Sequence, residues 1–367
     1  MKVPFFNSYV DDNAIELVNK TLKSTFLSEG PVVAQFESEL ESQLSILNPV
    51  AVNSGTSSLH LALVLANVSN GDEVILPSQT FVASALAVLY VGAKPVFADI
   101  NYEDGNINIK SLEEKITKKT KAIMPVHWSG YPCDMNAINK IAKKQNLKVI
   151  EDAAHALGSF YHSKSIGTIS DFTCFSFQAI KHLTTGDGGL IGCKYKRDAK
   201  RAKKLRWFGI DRAKAKPSIL GERQYDLDEI GFKYHLNDLA ASLGLANLKT
   251  LKQRLKRRKL IAKKYIKIFN DTPGITLFEY SKKNQSSWWL FGMHVENRKK
   301  FIRAMKSRDI SVSVVHQGID KYSLFGGLDE SLANQRKFDS TQIHIPVYDS
   351  LTDAQVDHVI KSIKLGW

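Results

Sequence analysis

Short apolar runs alternate with helical patterns between about residues 48 and 195. Glu73-Val74-Ile75-Leu76-Pro77 has the length and composition of a buried strand, and Thr80–Val91 continues with helical spacing. Lys94–Asp99 and Lys121–Val126 are two further strand-like runs. A helix over Asp134–Gln145, with Asp134 as N-cap, leads into the strand Lys148–Glu151. Phe172–Phe177 and Gly189–Cys193 complete the set. Strands separated by helices of this length predict a mostly parallel sheet covered on both faces, an α/β fold. In such sheets ligands bind where the strands' carboxyl ends meet the loops, so polar residues just after each strand carry the interest.

The pattern changes after Gly192. Arg197–Trp207 is predicted helical, Gly209–Gly231 is a polar stretch with little periodicity, and a long helix is expected over Asn237–Asn270 before Pro273-Gly274 breaks it. Strands over Trp289–Val295 and Ser311–His316 and a helix over Arg298–Arg308 follow. The expected organisation is a large domain, 1–248, with an N-terminal arm, and a smaller α+β domain, 249–367.

Composition narrows the function classes. The 367 residues include 51 Lys and Arg against 37 Asp and Glu, a net charge of +14. Much of that excess lies in Lys249–Lys267, where Leu251, Leu255, Ala262 and Tyr265, continued by Phe269, recur at helical spacing. The run reads as the solvated surface of an amphipathic helix. No aromatic RNA motif or zinc finger accompanies it, so no nucleic-acid partner is expected. No span of ~20 apolar residues and no signal-like apolar start are present, which predicts a cytoplasmic protein without a membrane partner. Cys133, Cys174 and Cys193 are widely spaced, which argues against a disulfide framework or a cysteine-based metal site; no metal is expected.

Four clusters carry candidate chemistry. Asn53-Ser54-Gly55-Thr56-Ser57-Ser58 precedes a helical pattern and offers amides and hydroxyls to a phosphate, although Ser and Thr are also the commonest N-caps. Glu151-Asp152 ends a strand, where Asp152 faces either a cationic ligand or an ordinary cap or ion pair. Phe175-Ser176-Phe177-Gln178-Ala179-Ile180-Lys181-His182 places a lysine after a strand; a lone lysine is a solvated surface residue by default, whereas in a partly dry pocket such an amine loses its proton and attacks carbonyls. Thr184–Gly189 is a glycine-rich turn that lets backbone approach a ligand. Together these supply a phosphate cradle, an acid for a ring nitrogen and a nucleophilic lysine, the groups that pyridoxal 5′-phosphate requires.

The chain resembles the nucleotide-sugar aminotransferases of the DegT/DnrJ/EryC1/StrS family. The resemblance runs from Phe26–Pro31 and Phe36-Glu37 through Asn53–Thr56, Pro77–Phe81, Pro125–His127, Glu151–Ala156 and Phe175–Lys181 to Gly186–Gly189 and Gly231–Asp238. It implies a fold type I pyridoxal-phosphate transferase, with a mixed, mostly parallel sheet between helices and a smaller α+β C-terminal domain. It further implies that Lys181 forms the Schiff base and shuttles the proton, while Asp152 pairs with the pyridinium nitrogen. His155 would contact the cofactor near its phenolic oxygen, and Phe81 would stack on the ring. Thr56, Ser57 and Ser176 would bind the phosphate, joined by Lys233 from a neighbouring subunit of a homodimer. His316 corresponds to a family histidine near the sugar. The implied reaction moves an amino group from glutamate to the keto group of a nucleotide-linked deoxysugar, for a lipopolysaccharide or other surface glycan.

Three positions depart from the usual pattern: His155 stands where many relatives have Gln, Asp187 where Glu is usual, and Lys233 where Asn is frequent. Relatives that replace the Schiff-base lysine with His are sugar dehydratases, and Lys181 favours transamination here. An inosose or aminobenzoate precursor as the keto substrate, a sugar dehydratase, a cofactor-binding protein without turnover, and a basic nucleic-acid binder using Lys249–Lys267 are the alternatives. Arg206 and Arg212 are candidates for holding the donor carboxylate or the substrate diphosphate.

Overall fold

Alternate residues of the central strands face opposite cores. A computed structural model describes all residues, 1–367. Helices α1 (Ala14–Ser24) and α2 (Pro31–Leu44) precede β1 (Pro49–Val52). Then come α3 (Gly55–Leu65), β2 (Glu73–Pro77), α4 (Val82–Tyr90), β3 (Lys94–Ala98), α5 (Ile109–Glu114), β4 (Thr120–Ile123), α6 (Met135–Gln145) and β5 (Lys148–Asp152). A two-residue hairpin, β6 (Phe160–Tyr161) and β7 (Lys164–Ser165), separates β5 from β8 (Phe172–Ser176) and β9 (Gly189–Cys193). These form a seven-stranded sheet in the order β1-β9-β8-β5-β4-β2-β3. Only β9 runs against its neighbours; the other pairs are parallel.

Val74, Leu76, Ala122 and Ile150 point into one core, with Leu61, Ala85 and Leu205. Ile75, Ile123 and Val149 point into the other, with Phe36, Ile138 and Leu248. Burial on both faces is why these strands read as continuous apolar runs rather than as alternation. Asp134 caps α6 as expected, its side chain accepting from the amide of Ala137.

Beyond β9 lie α7 (Lys196–Leu205), a hairpin of β10 (Lys216–Pro217) and β11 (Arg223–Gln224), α8 (Asp238–Lys249) and α9 (Leu251–Phe269). The C-terminal part adds β12 (Ile275–Leu277), β13 (Phe291–Val295), α10 (Arg298–Ser307), α11 (Ala333–Thr341), β14 (Gln342–Ile345) and α12 (Asp353–Lys364). Its three antiparallel strands, in the order β12-β13-β14, pack on α9 around Tyr265, Phe269, Phe291 and Phe301.

Three expectations change. The single helix over 237–270 is two helices that meet at Thr250, the C-cap of α8 and the N-cap of α9. Ser311–His316 is not a strand: Ser313 alone bridges His344, and Val315 adopts a left-handed φ of +58°. The basic run is not merely a wetted surface. Arg254 and Arg258 are buried and both pair with Asp349, at 3.5 and 3.1 Å, and Arg258 also donates to the carbonyl of Val347 at 2.8 Å. No helix is long and apolar enough to cross a membrane.

Candidate active site

A cavity of about 370 Å³ opens at the carboxyl ends of β5 and β8. Asp152, the last residue of β5, is buried there and held in a fixed orientation. Its Oδ2 accepts from Ser84 Oγ at 2.7 Å and its Oδ1 from the Ala154 amide at 3.1 Å. Ser84 lies on α4, and its hydroxyl also bonds Thr80 Oγ1 at 2.7 Å, so a short polar chain runs to the carboxylate from the strand–helix turn.

Lys181 reaches the same cavity from the turn after β8, where its amide donates to the Gln178 carbonyl. Its Nζ lies 3.7 Å from the centre of the Trp289 ring. Burial pushes the ammonium down to about 7, against the opposing pull of Asp152. Near neutral pH the amine is therefore substantially unprotonated and nucleophilic.

The turn before α3 supplies one end of the cavity. Ser54 caps α3: its hydroxyl accepts from the Ser57 amide, and its carbonyl accepts from the Ser58 amide. The amides of Gly55 and Thr56, both on the cavity wall, remain for a ligand. Ser176, at the end of β8, faces them; a Cβ on Gly55 would lie 3.0 Å from that of Ser176, so glycine allows the close approach. Gly189 serves the same seam. A Cβ there would lie 2.4 Å from the Ser54 carbonyl carbon, so the glycine-rich turn makes room for the cradle's backbone, although Asp187 and Gly188 also line the cavity.

Aromatic groups close the remaining sides. His155 stacks on Trp289 with centroids 3.8 Å apart, and its buried Nδ1 has no partner. Burial, and after it the Lys181 charge, hold this imidazole well below its usual range. Phe81 exposes its ring to the cavity, 5.2 Å from the ring of His316. Burial followed by the Lys181 charge lowers His316 to about 4, so it is neutral at physiological pH.

Thr56, Phe81, Asp152, His155, Ser176, Lys181 and His316 thus share one cavity. Two sequence candidates stand apart from its wall. Ser57 Oγ donates to Asn53 Oδ1 at 2.6 Å, behind the cradle. Lys233 is exposed, with its Nζ 3.9 Å from the Trp207 ring centre. Arg206 does not hold a ligand as expected: it is buried between Glu37 and Glu29, at 2.5 and 2.8 Å. Arg212 pairs with Glu29 at 3.6 Å and lies against Trp207, outside this cavity. Sequence reasoning missed Trp289 and Ser84. The Trp288-Trp289 doublet beside Ser286-Ser287, and the i, i+4 hydroxyls of Thr80 and Ser84, were the available signals.

The residues present fit pyridoxal phosphate. Free amides and hydroxyls suit the phosphate, an oriented carboxylate suits the pyridinium proton, and a proton-poor lysine suits the aldehyde. The unpartnered Nδ1 of His155 leaves a polar contact for a ligand oxygen.

Comparison with known proteins agrees with this chemistry. The model of the DegT/DnrJ/EryC1/StrS aminotransferase family matches residues 8–364. GDP-perosamine synthase of Escherichia coli O157:H7 is 32% identical over 98% of this chain and 97% of its own. The crystal structure of AtS13 from Actinomadura melliaura superposes with a TM-score of 0.95 at 34% identity, covering 100% of this chain and 99% of that one. Spr1654 of Streptococcus pneumoniae in its PLP form gives a TM-score of 0.92 at 29% identity, covering 100% and 98%.

Proposed function

The chain belongs to the DegT/DnrJ/EryC1/StrS aminotransferase family, and from that premise we propose that it moves the amino group of glutamate to the keto group of a nucleotide-linked deoxysugar. The products are 2-oxoglutarate and an amino sugar for a surface glycan. The enzyme is a pyridoxal-phosphate-dependent transaminase. The bound cofactor supplies an aldehyde that takes up and returns an amino group, and a ring that accepts the electron pair left when a carbon-bound proton departs.

The observation that carries the reading is the convergence of Lys181 and Asp152 on one cavity. Lys181 would hold the aldehyde carbon covalently until the donor's amine displaces it; its freed Nζ, held near pH 7 by burial, would then accept and return the substrate's proton. Asp152, fixed by Ser84 and the Ala154 amide, would hold the proton on the ring nitrogen. The Gly55 and Thr56 amides with the Thr56 and Ser176 hydroxyls would hold the phosphate, aided by Ser57 if its hydroxyl turns from Asn53. Phe81 and His155 would flank the ring, and neutral His316 would offer hydrogen bonding to the sugar without adding a cation.

Exposed Lys233, outside its own cavity, supports a homodimer in which it reaches the partner's phosphate site. Three free, buried cysteines fit a reducing cytoplasm. The test is direct: purified enzyme loaded with cofactor is yellow, borohydride fixes the cofactor on Lys181, and glutamate bleaches the band. Lys181→Ala abolishes the covalent adduct. A wild-type protein whose band ignores glutamate, and which aminates no nucleotide-linked keto-sugar, would refute the proposal.

A further inference from the structure

Three non-glycine residues with left-handed backbone lie in the aromatic surroundings of the active site, and one of them, Val315, lines its cavity. Ser129 (φ +60°) follows Trp128, Trp288 (φ +56°) precedes Trp289, and Val315 (φ +58°) precedes His316. Val315 is the costliest of these, because a β-branched side chain clashes with its own backbone at positive φ. It is the one valine or isoleucine in the molecule in that conformation. The amide of His316 donates to the Val314 carbonyl at 2.7 Å, so Val315 is the central residue of a three-residue turn.

The turn is held from both sides. Upstream, Ser313 pairs with His344 of β14 through both backbone bonds, and Ser313 Oγ accepts from the Val315 amide at 2.9 Å. Downstream, the His316 carbonyl accepts from Gln79 Nε2 at 3.1 Å and Gln342 Nε2 at 2.8 Å. Gln79 is itself fixed by Gln335 at 2.7 Å. The Gly318 amide donates to Asp339, and the Ile319 amide to the carbonyl of Ser78. Such bracing tolerates a strained residue but does not require a side chain on it. Glycine would make the same turn at lower cost. What valine adds is a half-buried isopropyl group that packs against the apolar cluster containing Trp128 and Trp289, at a residue that lines the cavity next to His316.

We propose that Val315 is a specificity-determining residue: its side chain, held on the wall by this braced turn, packs against the keto-sugar ring and sets its position beside Lys181. This rests on the assignment of a nucleotide-linked keto-sugar as the amino acceptor. Its place in the turn separates shape from backbone. Val315→Ala removes the two methyl groups and with them the β-branched part of the strain but leaves a Cβ on the left-handed backbone, Val315→Gly removes the Cβ as well, and Val315→Thr keeps the β-branched shape.

The test measures the two half-reactions of the loaded enzyme with purified variants, alongside melting temperatures. Bleaching of the cofactor band by glutamate stays within about twofold of wild type in every variant. KM for the nucleotide-linked keto-sugar rises ~10-fold or more in V315A and V315G, the scale of lost apolar contact in a pocket, and V315T stays near wild type. V315G melts no lower than V315A, because the left-handed backbone no longer opposes its side chain. A V315A enzyme with wild-type KM overturns the proposal, as does equal damage to both half-reactions. If wild-type enzyme responds to glutamate yet aminates no nucleotide-linked keto-sugar, the substrate assignment fails first and this inference with it.

Discussion

Two side chains set the chemistry, and each is tuned by something a few ångströms away. Lys181 is held near pH 7 by burial. Its covalent capture of added pyridoxal phosphate by the cofactor-free enzyme should therefore accelerate as pH rises through about 7, where a surface lysine would need far higher pH. Borohydride trapping across a pH series measures this, and a rate still climbing steeply above pH 9 would contradict it. Asp152 depends on Ser84 for one of its two hydrogen bonds. Ser84→Ala should loosen cofactor binding and lower kcat, each by ~10-fold or more, as expected for losing a bond to a charged group. Cofactor titration and steady-state rates report the two effects separately.

Asp152 and Lys181 were legible only in combination: each sits at or within five residues of the end of a buried strand, and either alone has an ordinary structural reading. Trp289 was visible only as half of an indole doublet, and its place beside Lys181 was not legible, since only tertiary folding carries it across more than a hundred residues. Val315 was hidden for the opposite reason. Left-handed positions are normally advertised by glycine or asparagine, and valine in a valine-rich run advertises a strand.

Among the elements, strands β2, β5 and β8 were readable because burial on both faces leaves an apolar run. α9 shows where such reading stops. Its arginines looked like solvent-facing charge, because their partner Asp349 lies about 90 residues downstream and enters no local pattern. Once folded, Asp349 compensates two buried guanidinium groups. Removing it as Asp349→Ala should cost ~3–5 kcal/mol, the scale for stranding a buried charge. Denaturant midpoints measure the loss. A change below ~1 kcal/mol would mean that the neighbouring carbonyl of Val347 suffices for Arg258.

Across the whole molecule, the C-terminal sheet meets the remainder of the protein through histidines. His294 stacks on Tyr102 with centroids 4.0 Å apart, and His344 lies 5.7 Å from the Trp128 ring. Burial holds His294 at about 4 and His344 at about 3, both below their unfolded values. The sign follows: below about pH 6.5 the unfolded chain binds protons that the folded one refuses, so stability is lost as pH falls towards 4. Each such histidine withdraws ~1.4 kcal/mol per pH unit over that window. The unfolding midpoint should therefore drop steeply between pH 6.5 and 4, and His344→Gln should flatten the descent. A variant that follows the wild-type slope would assign the acid lability elsewhere.

The indole of Trp289 has a further consequence. It is stacked on His155, lies near Phe6 and is capped by the amine of Lys181. An indole so placed is an optical gauge wired into the reaction centre. Whatever occupies the amine or shifts the imidazole alters the ring's electronic surroundings, so its share of the emission from the five indoles should change when the amine is engaged.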